Sequence, residues 1–120
     1  MTAACLPRRR VGVLLHPTAL PDAPVCGGLG AAARLWIRAL ARNGIGLWQV
    51  LPLSPPDGTG SPYSSPSSFA INPWLLDAHD LCEEGFLQPG ALASLPGAEA
   101  AGSSLDFLLA DRRVSVLARQ

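Results

Sequence analysis

The sequence contains no lysine. All nine basic residues are arginine, nine acidic residues balance them, and the formal net charge is zero. Nucleic-acid binding draws on a basic excess, so that class gets no support. Charged residues make up only 15% of the chain, below the usual quarter. Such a chain either buries much of its own surface or rests it against something else. Cysteine is sparse and odd in number: Cys5, Cys26 and Cys82, with no C-x-x-C spacing. That disfavours a disulfide framework and predicts a reducing, cytoplasmic setting. Long apolar runs are missing too. Nothing approaches the roughly 18 residues of a membrane span, and the first ten residues lack a signal-peptide core. The length of 120 residues allows one domain with one modest core.

What is present is organised around residues 48–73. Trp48-Gln49-Val50-Leu51-Pro52-Leu53 reads as a buried strand ending at a proline. A long stretch without helical or strand period follows, and such loops in compact domains are functional or disordered. This one carries Tyr63 and Phe69 and is stiffened by prolines at 55, 56, 62, 66 and 73. A flexible linker would be Gly/Ser without aromatics. The expectation is an ordered binding loop at the carboxyl end of a strand.

Upstream, Val11-Gly12-Val13-Leu14-Leu15 is an apolar run of the kind buried on both faces. His16-Pro17 stops it, and Pro21 and Pro24 exclude regular structure up to Val25. From Leu29, an amphipathic helix places Leu29, Ala33, Trp36, Ile37 and Leu40 on one face. Arg34, Arg38 and Arg42 line the opposite face, which reads as solvated rather than phosphate-binding. Asn43-Gly44 is the stop signal. Two apolar runs, 11–15 and 46–51, thus flank one helix as a βαβ unit. Its strands should be parallel, with a right-handed crossover, and both following loops should share one rim. Downstream, a short helix is expected from Asp77 to Glu84, ended by Gly85. A loosely packed connection is expected over 88–104, then a last helix capped by Asp106 with Phe107, Ala110, Val114 and Leu117 as its apolar face. That helix runs to Gln120 without a stop signal, which predicts a piece of something longer. The segments are a tail (1–10), the βαβ unit (11–53), the loop (54–73) and a helical excursion (74–120).

Two apparent motifs carry little. Gly28-Leu29-Gly30-Ala31-Ala32-Ala33 fits G-x-G-x-x-A, but it stands about a dozen residues past the first strand, and no acid ends the second. His79 and Cys82 share a helix face, but two ligands do not make a zinc site, so no metal is expected.

Several stretches together resemble the amino-terminal part of the amylomaltases, the 4-α-glucanotransferases of glycoside hydrolase family 77. They are Gly12-Val13-Leu14-Leu15-His16-Pro17-Thr18, Leu20-Pro21, Leu29-Gly30, Trp48 to Leu53, Ser61-Pro62-Tyr63, Phe69-Ala70-x-Asn72-Pro73, Leu75, Leu76-Asp77 and Glu84-Gly85-x-Leu87, all in the family's order. Departures are Ala19 for a serine, Gly28 for an acid, Ile71 for a glycine, and Ser64-Ser65-Pro66 for a Gln-containing stretch. The resemblance implies an α/β fold, the first βαβ portion of a (β/α)8 barrel. It implies transfer of α-1,4-glucan segments between maltooligosaccharides by a retaining mechanism, with no cofactor. Retention needs two carboxyl groups roughly 5 Å apart. The acidic residues here all have better structural readings, with Asp57 in a Pro-Asp-Gly turn. In the family the catalytic carboxylates come from later strands, so no catalytic residue is expected in this chain. The resemblance assigns Ser61 and Tyr63 to the sugar site, since a ring stacks on glucose and a hydroxyl bonds its rim. Packing of the loop is the alternative for Tyr63. His16 joins as a rim candidate, equally suited to a structural hydrogen bond. Asn72 joins with turn-shaping as its stronger reading. A carbohydrate-binding fragment without catalysis is the alternative function; a truncated product with no function of its own is a third.

Overall fold

The computed structural model describes residues 9–21, 25–97 and 106–119. Most of the expected tail with Cys5, together with Asp22, Pro24, Glu99 and residues 98–104 of the expected connection, lies outside them.

The two apolar runs form strands β1 (Gly12–Leu14) and β2 (Leu47–Gln49), joined by helix α1 (Ala31–Arg42). They pair in parallel, Gly12 opposite Leu47 and Leu14 opposite Gln49. The Leu15 N–H extends the ladder to the Gln49 carbonyl at 3.1 Å. The Trp48 indole N–H donates to the Leu15 carbonyl at 2.7 Å. The βαβ reading therefore holds, with strands shorter than the 11–15 and 46–51 expected. Burial on both faces does not hold: Val11 and Leu14 are exposed, as is Leu47. An apolar run reports that a surface is built to be covered, and these residues have no cover among the described residues.

On α1, Ala33 and Leu40 are buried and Trp36 is half-buried, whereas Ile37 is exposed; Leu29, expected on the same face, precedes the helix and is exposed too. Asn43 caps the helix and Gly44 leaves it at φ 71°, where glycine avoids the left-handed penalty. Helix α2 (Ala78–Glu83) starts at Asp77, whose carboxylate accepts from the His79 and Asp80 N–H groups. Gly85 ends it at φ 80°. Arg34 is exposed, as expected of a solvated face, and also forms a two-pronged pair with Asp80, at 2.7 and 2.8 Å, tying α1 to α2.

The expected loose connection is corrected as well. Helix α3 (Ala91–Ser94) forms there, and Leu87 and Leu95 pack with Ala78 as a small core. Leu81, Leu92, Val116 and Leu117 surround it. Leu87, Ala91 and Leu95 recur every fourth residue, a helical spacing obscured by the Pro/Gly/Ser content. Helix α4 (Phe107–Leu117) begins at Asp106, which accepts from the Leu109 N–H. Its Ala110 is buried.

Two 3₁₀ turns of the same design stand at the ends of the site. In the first (Pro17–Ala19), His16 Nδ1 accepts from the Thr18 N–H. In the second (Pro73–Leu75), Asn72 Oδ1 accepts from the Trp74 N–H. Both carry proline at the first position, where its missing donor costs nothing. The residue after each turn donates its N–H back to that proline's carbonyl.

Candidate functional site

The chain leaves both strands on the same side, and the loops that follow meet there. His16, Thr18, Leu51, Pro56, Gly60, Pro62, Asn72 and Trp74 enclose a cavity of about 110 Å³. It is smaller than the several hundred Å³ of a typical ligand pocket. The Asn72 N–H donates to the Leu53 carbonyl at 2.7 Å, which closes residues 54–71 into a loop over this rim.

Side-chain hydrogen bonds run through residues 57–70 of the loop. Asp57 Oδ1 accepts from the Thr59 N–H, the Thr59 hydroxyl and the Ser61 N–H at 2.9, 2.6 and 3.0 Å. These bonds, led by the Thr59 hydroxyl, hold the Asp57 carboxyl below its usual range. Further on, the Ser65 hydroxyl donates to the Ser67 carbonyl. Ser67 Oγ accepts from the Phe69 and Ala70 N–H groups. The turn expected at Asp57 is present.

The four sequence candidates separate into two pairs. His16 and Asn72 line the cavity, each with one side-chain atom committed to its turn. Asn72 is 3% exposed, and its turn-shaping bond is in place. Ser61 stands between two cavity-lining residues, Gly60 and Pro62. Tyr63 is 73% exposed and does not line the cavity. Its hydroxyl makes no hydrogen bond among the described residues, and most of its ring is open to solvent.

Sequence reasoning missed Trp74. Its indole N–H donates to Asp111 Oδ1 at 2.8 Å, and its ring stacks on Phe107 with centroids 5.4 Å apart. Its carbonyl accepts from the Cys26 thiol. Phe107 in turn covers Gly60, where an added Cβ would overlap its ring and φ is 80°. Trp74 thereby joins α4 to the loop. The nearest signal in the sequence was a tryptophan directly after Asn-Pro.

Of the acidic side chains, Asp57 holds the loop, Asp77 and Asp106 cap helices, Asp80 pairs with Arg34 and Asp111 accepts from Trp74. Burial pushes the Cys26 thiol up to about 11 despite Arg113 nearby, so the reactive thiolate is suppressed. Among the described residues no three His, Cys, Asp or Glu side chains group as metal ligands, and no helix is long and apolar enough to cross a membrane.

Burial lowers the pKa of His16, with the Pro52 backbone opposing. Hydrogen bonds from Arg34 lower that of Asp80. A group whose pKa falls on folding stabilises the fold above its unfolded value and loses that contribution as pH falls through the folded one. The urea midpoint should therefore drop in two steps, one starting below about pH 6.5 and one below about pH 4. His16→Asn, which copies the cap at Asn72, should remove the upper step. Asp80→Asn should shrink the lower one. A midpoint that is flat between pH 7 and 5 in the parent chain would contradict the assignment to His16.

Comparison with known proteins agrees with this geometry. The profile of glycoside hydrolase family 77, described as 4-alpha-glucanotransferase, matches residues 15–112. A 4-alpha-glucanotransferase from Synechocystis sp. is 46% identical over 91 residues, covering 76% of this chain and 18% of the relative. One from Thermus thermophilus is 48% identical over 80 residues, covering 67% and 16%. The solved amylomaltase from Streptococcus agalactiae in complex with acarbose superposes with a TM-score of 0.73 at 27% identity, over 94% of this chain and 24% of that one. The chain spans under a fifth of the length of these curated relatives. With its profile match covering most of its length and its parallel βαβ unit superposing on a solved amylomaltase, the chain belongs to the 4-alpha-glucanotransferase family, glycoside hydrolase family 77.

Proposed function

We propose that this chain supplies the first βαβ unit of a (β/α)8 barrel and one wall of the sugar site of a cytoplasmic 4-α-glucanotransferase. The reaction is transfer of α-1,4-glucan segments between maltooligosaccharides. In a retaining mechanism a carboxylate attacks, a glucosyl-enzyme forms, and a glucan 4-hydroxyl takes the place of water. The observation that carries the reading is the Ser61-Pro62-Tyr63 loop. It stands on the rim after the parallel strands, where ligands of parallel α/β folds bind, within the stretch that matches the family. The Tyr63 ring stacks on a glucose face, and the Ser61 hydroxyl bonds its edge. His16 and Asn72 shape the cavity beneath and support the sugar site from below. Every described aspartate is committed to a structural bond, and Glu83 and Glu84 stand side by side at the end of α2, not at a strand end, so the nucleophile and acid/base are assigned outside these residues.

The 120-residue chain incubated with maltotriose is accordingly expected to release no glucose and no longer glucans, yet to bind the trisaccharide with a Kd of roughly 1 mM or weaker. Titration calorimetry on the parent and on Tyr63→Ala checks the binding, which the substitution should weaken about tenfold. Product formation abolished by changing one of the chain's own carboxylates would overturn the division of labour. Unchanged affinity in Tyr63→Ala would remove Tyr63 from the site.

A further inference from the structure

Tyr63 is exposed and makes no side-chain hydrogen bond among the described residues, so its backbone alone fixes its direction. Pro62 before it has a fixed φ and no N–H. The last backbone donor ahead of Tyr63 is therefore the Ser61 N–H, and it points to Asp57 Oδ1 at 3.0 Å. The same oxygen takes both Thr59 donors. The Asp57 N–H returns to the Ser61 carbonyl at 3.2 Å, and the Gly60 N–H reaches the Asp57 carbonyl at 2.9 Å. On its other flank, Pro55-Pro56 stiffens the approach to Asp57. One carboxylate oxygen thus sets the angle at which a rigid Ser-Pro-Tyr segment leaves the turn.

We propose that Asp57 is a positioning residue for carbohydrate recognition: it does not touch the sugar but aims Ser61 and Tyr63 at it. The inference rests on the sugar-site reading above. A glutamate would overreach the turn. An asparagine keeps an acceptor oxygen in the same place, and an alanine keeps none.

Deuterium uptake of the full chain at micromolar concentration, with maltotriose as the probe, tests this. In the parent chain maltotriose should slow exchange across 57–69. Asp57→Asn should keep the half-effect concentration within about threefold. Asp57→Ala should raise it about tenfold or more, with uptake in α1 unchanged. A maltotriose response in Asp57→Ala equal to the parent's would overturn the inference, as would Asp57→Asn failing as fully as the alanine. If the parent shows no response to maltotriose, the sugar-site reading falls and the inference falls with it, whereas a parent response that survives in Asp57→Ala overturns the inference alone. Faster uptake at the Ser61 amide in the alanine variant but not the asparagine one, together with the weakened maltotriose response, ties the loss to the turn bond.

Discussion

Gly27→Ala should unfold much of this chain. A Cβ at position 27 would overlap the Pro17 carbonyl oxygen and lie 2.7 Å from the Leu20 nitrogen and 2.8 Å from its oxygen. All three are backbone atoms, so no side chain can swing aside. The Gly27 N–H also donates to the Thr18 carbonyl at 3.0 Å, which keeps the two segments in contact. Admitting one methyl group means separating them, and with them the first 3₁₀ turn, buried Leu20 and Val25, and His16 at the cavity. Overpacking a tight site costs about 1–3 kcal/mol when side chains can yield. Here the cost should be about 3 kcal/mol or more, a large part of a small domain's stability. Gly58→Ala is the control, because nothing lies within 4 Å of a Cβ there; it should change stability by less than about 0.5 kcal/mol. Urea midpoints of the two variants decide it. Equal midpoints would mean that the backbone at Gly27 yields freely.

Trp74→Ala should release α4 from the loop. The substitution removes the stack on Phe107, the bond to Asp111 and the cover over the His16 cavity together. It also opens the smaller cavity of about 60 Å³ that Trp74 shares with Val25, Ala110 and Arg113. Large aromatic truncations cost about 3–5 kcal/mol. Trp74 is half-buried, so about 3 kcal/mol is expected. Trp74→Phe keeps the stack and loses only the bond to Asp111, a difference of about 1 kcal/mol. Amide exchange in α4 separates the two, with fast exchange in the alanine variant and near-parent rates in the phenylalanine one. Full protection of α4 in Trp74→Ala would show that Leu117 and Val116 hold the helix unaided.

The βαβ unit and the two capped helices after it were legible because each of these parts carries a local signature. Apolar runs, a 3.6-residue period, Asn43-Gly44 and the caps Asp77 and Asp106 all act within a few residues of themselves. The pairings that assemble the site have no such signature. Arg34 and Asp80 are 46 residues apart, and Trp74 and Asp111 are 37 apart; no period or spacing announces either. Helix α3 escaped because four residues are too few to show a period against a Pro/Gly background. The exposed faces of β1 and β2 escaped for another reason: hydrophobicity tells that cover is needed, not where it comes from. Asp57 was legible as a turn residue, but its hold on the Ser61 amide depends on φ 80° at Gly60. Asn72-Pro73 announced its turn, whereas His16-Pro17 hid an equivalent one, because histidine is not among the usual capping residues.

That equivalence bears on the proton of His16. A backbone N–H can only donate, so the Thr18 amide at 3.4 Å favours an Nδ1 without hydrogen, to which the Thr18 hydroxyl at 2.8 Å then donates as well. The neutral ring then carries its hydrogen on Nε2, and burial favours that neutral form. Nε2 is buried and meets no described residue in full hydrogen-bond geometry, yet the Pro52 carbonyl stands close enough to raise the His16 pKa. The imidazole therefore presents a donor toward the carboxyl end of the second strand, with a proline carbonyl, which has only lone pairs to offer, as the group facing it.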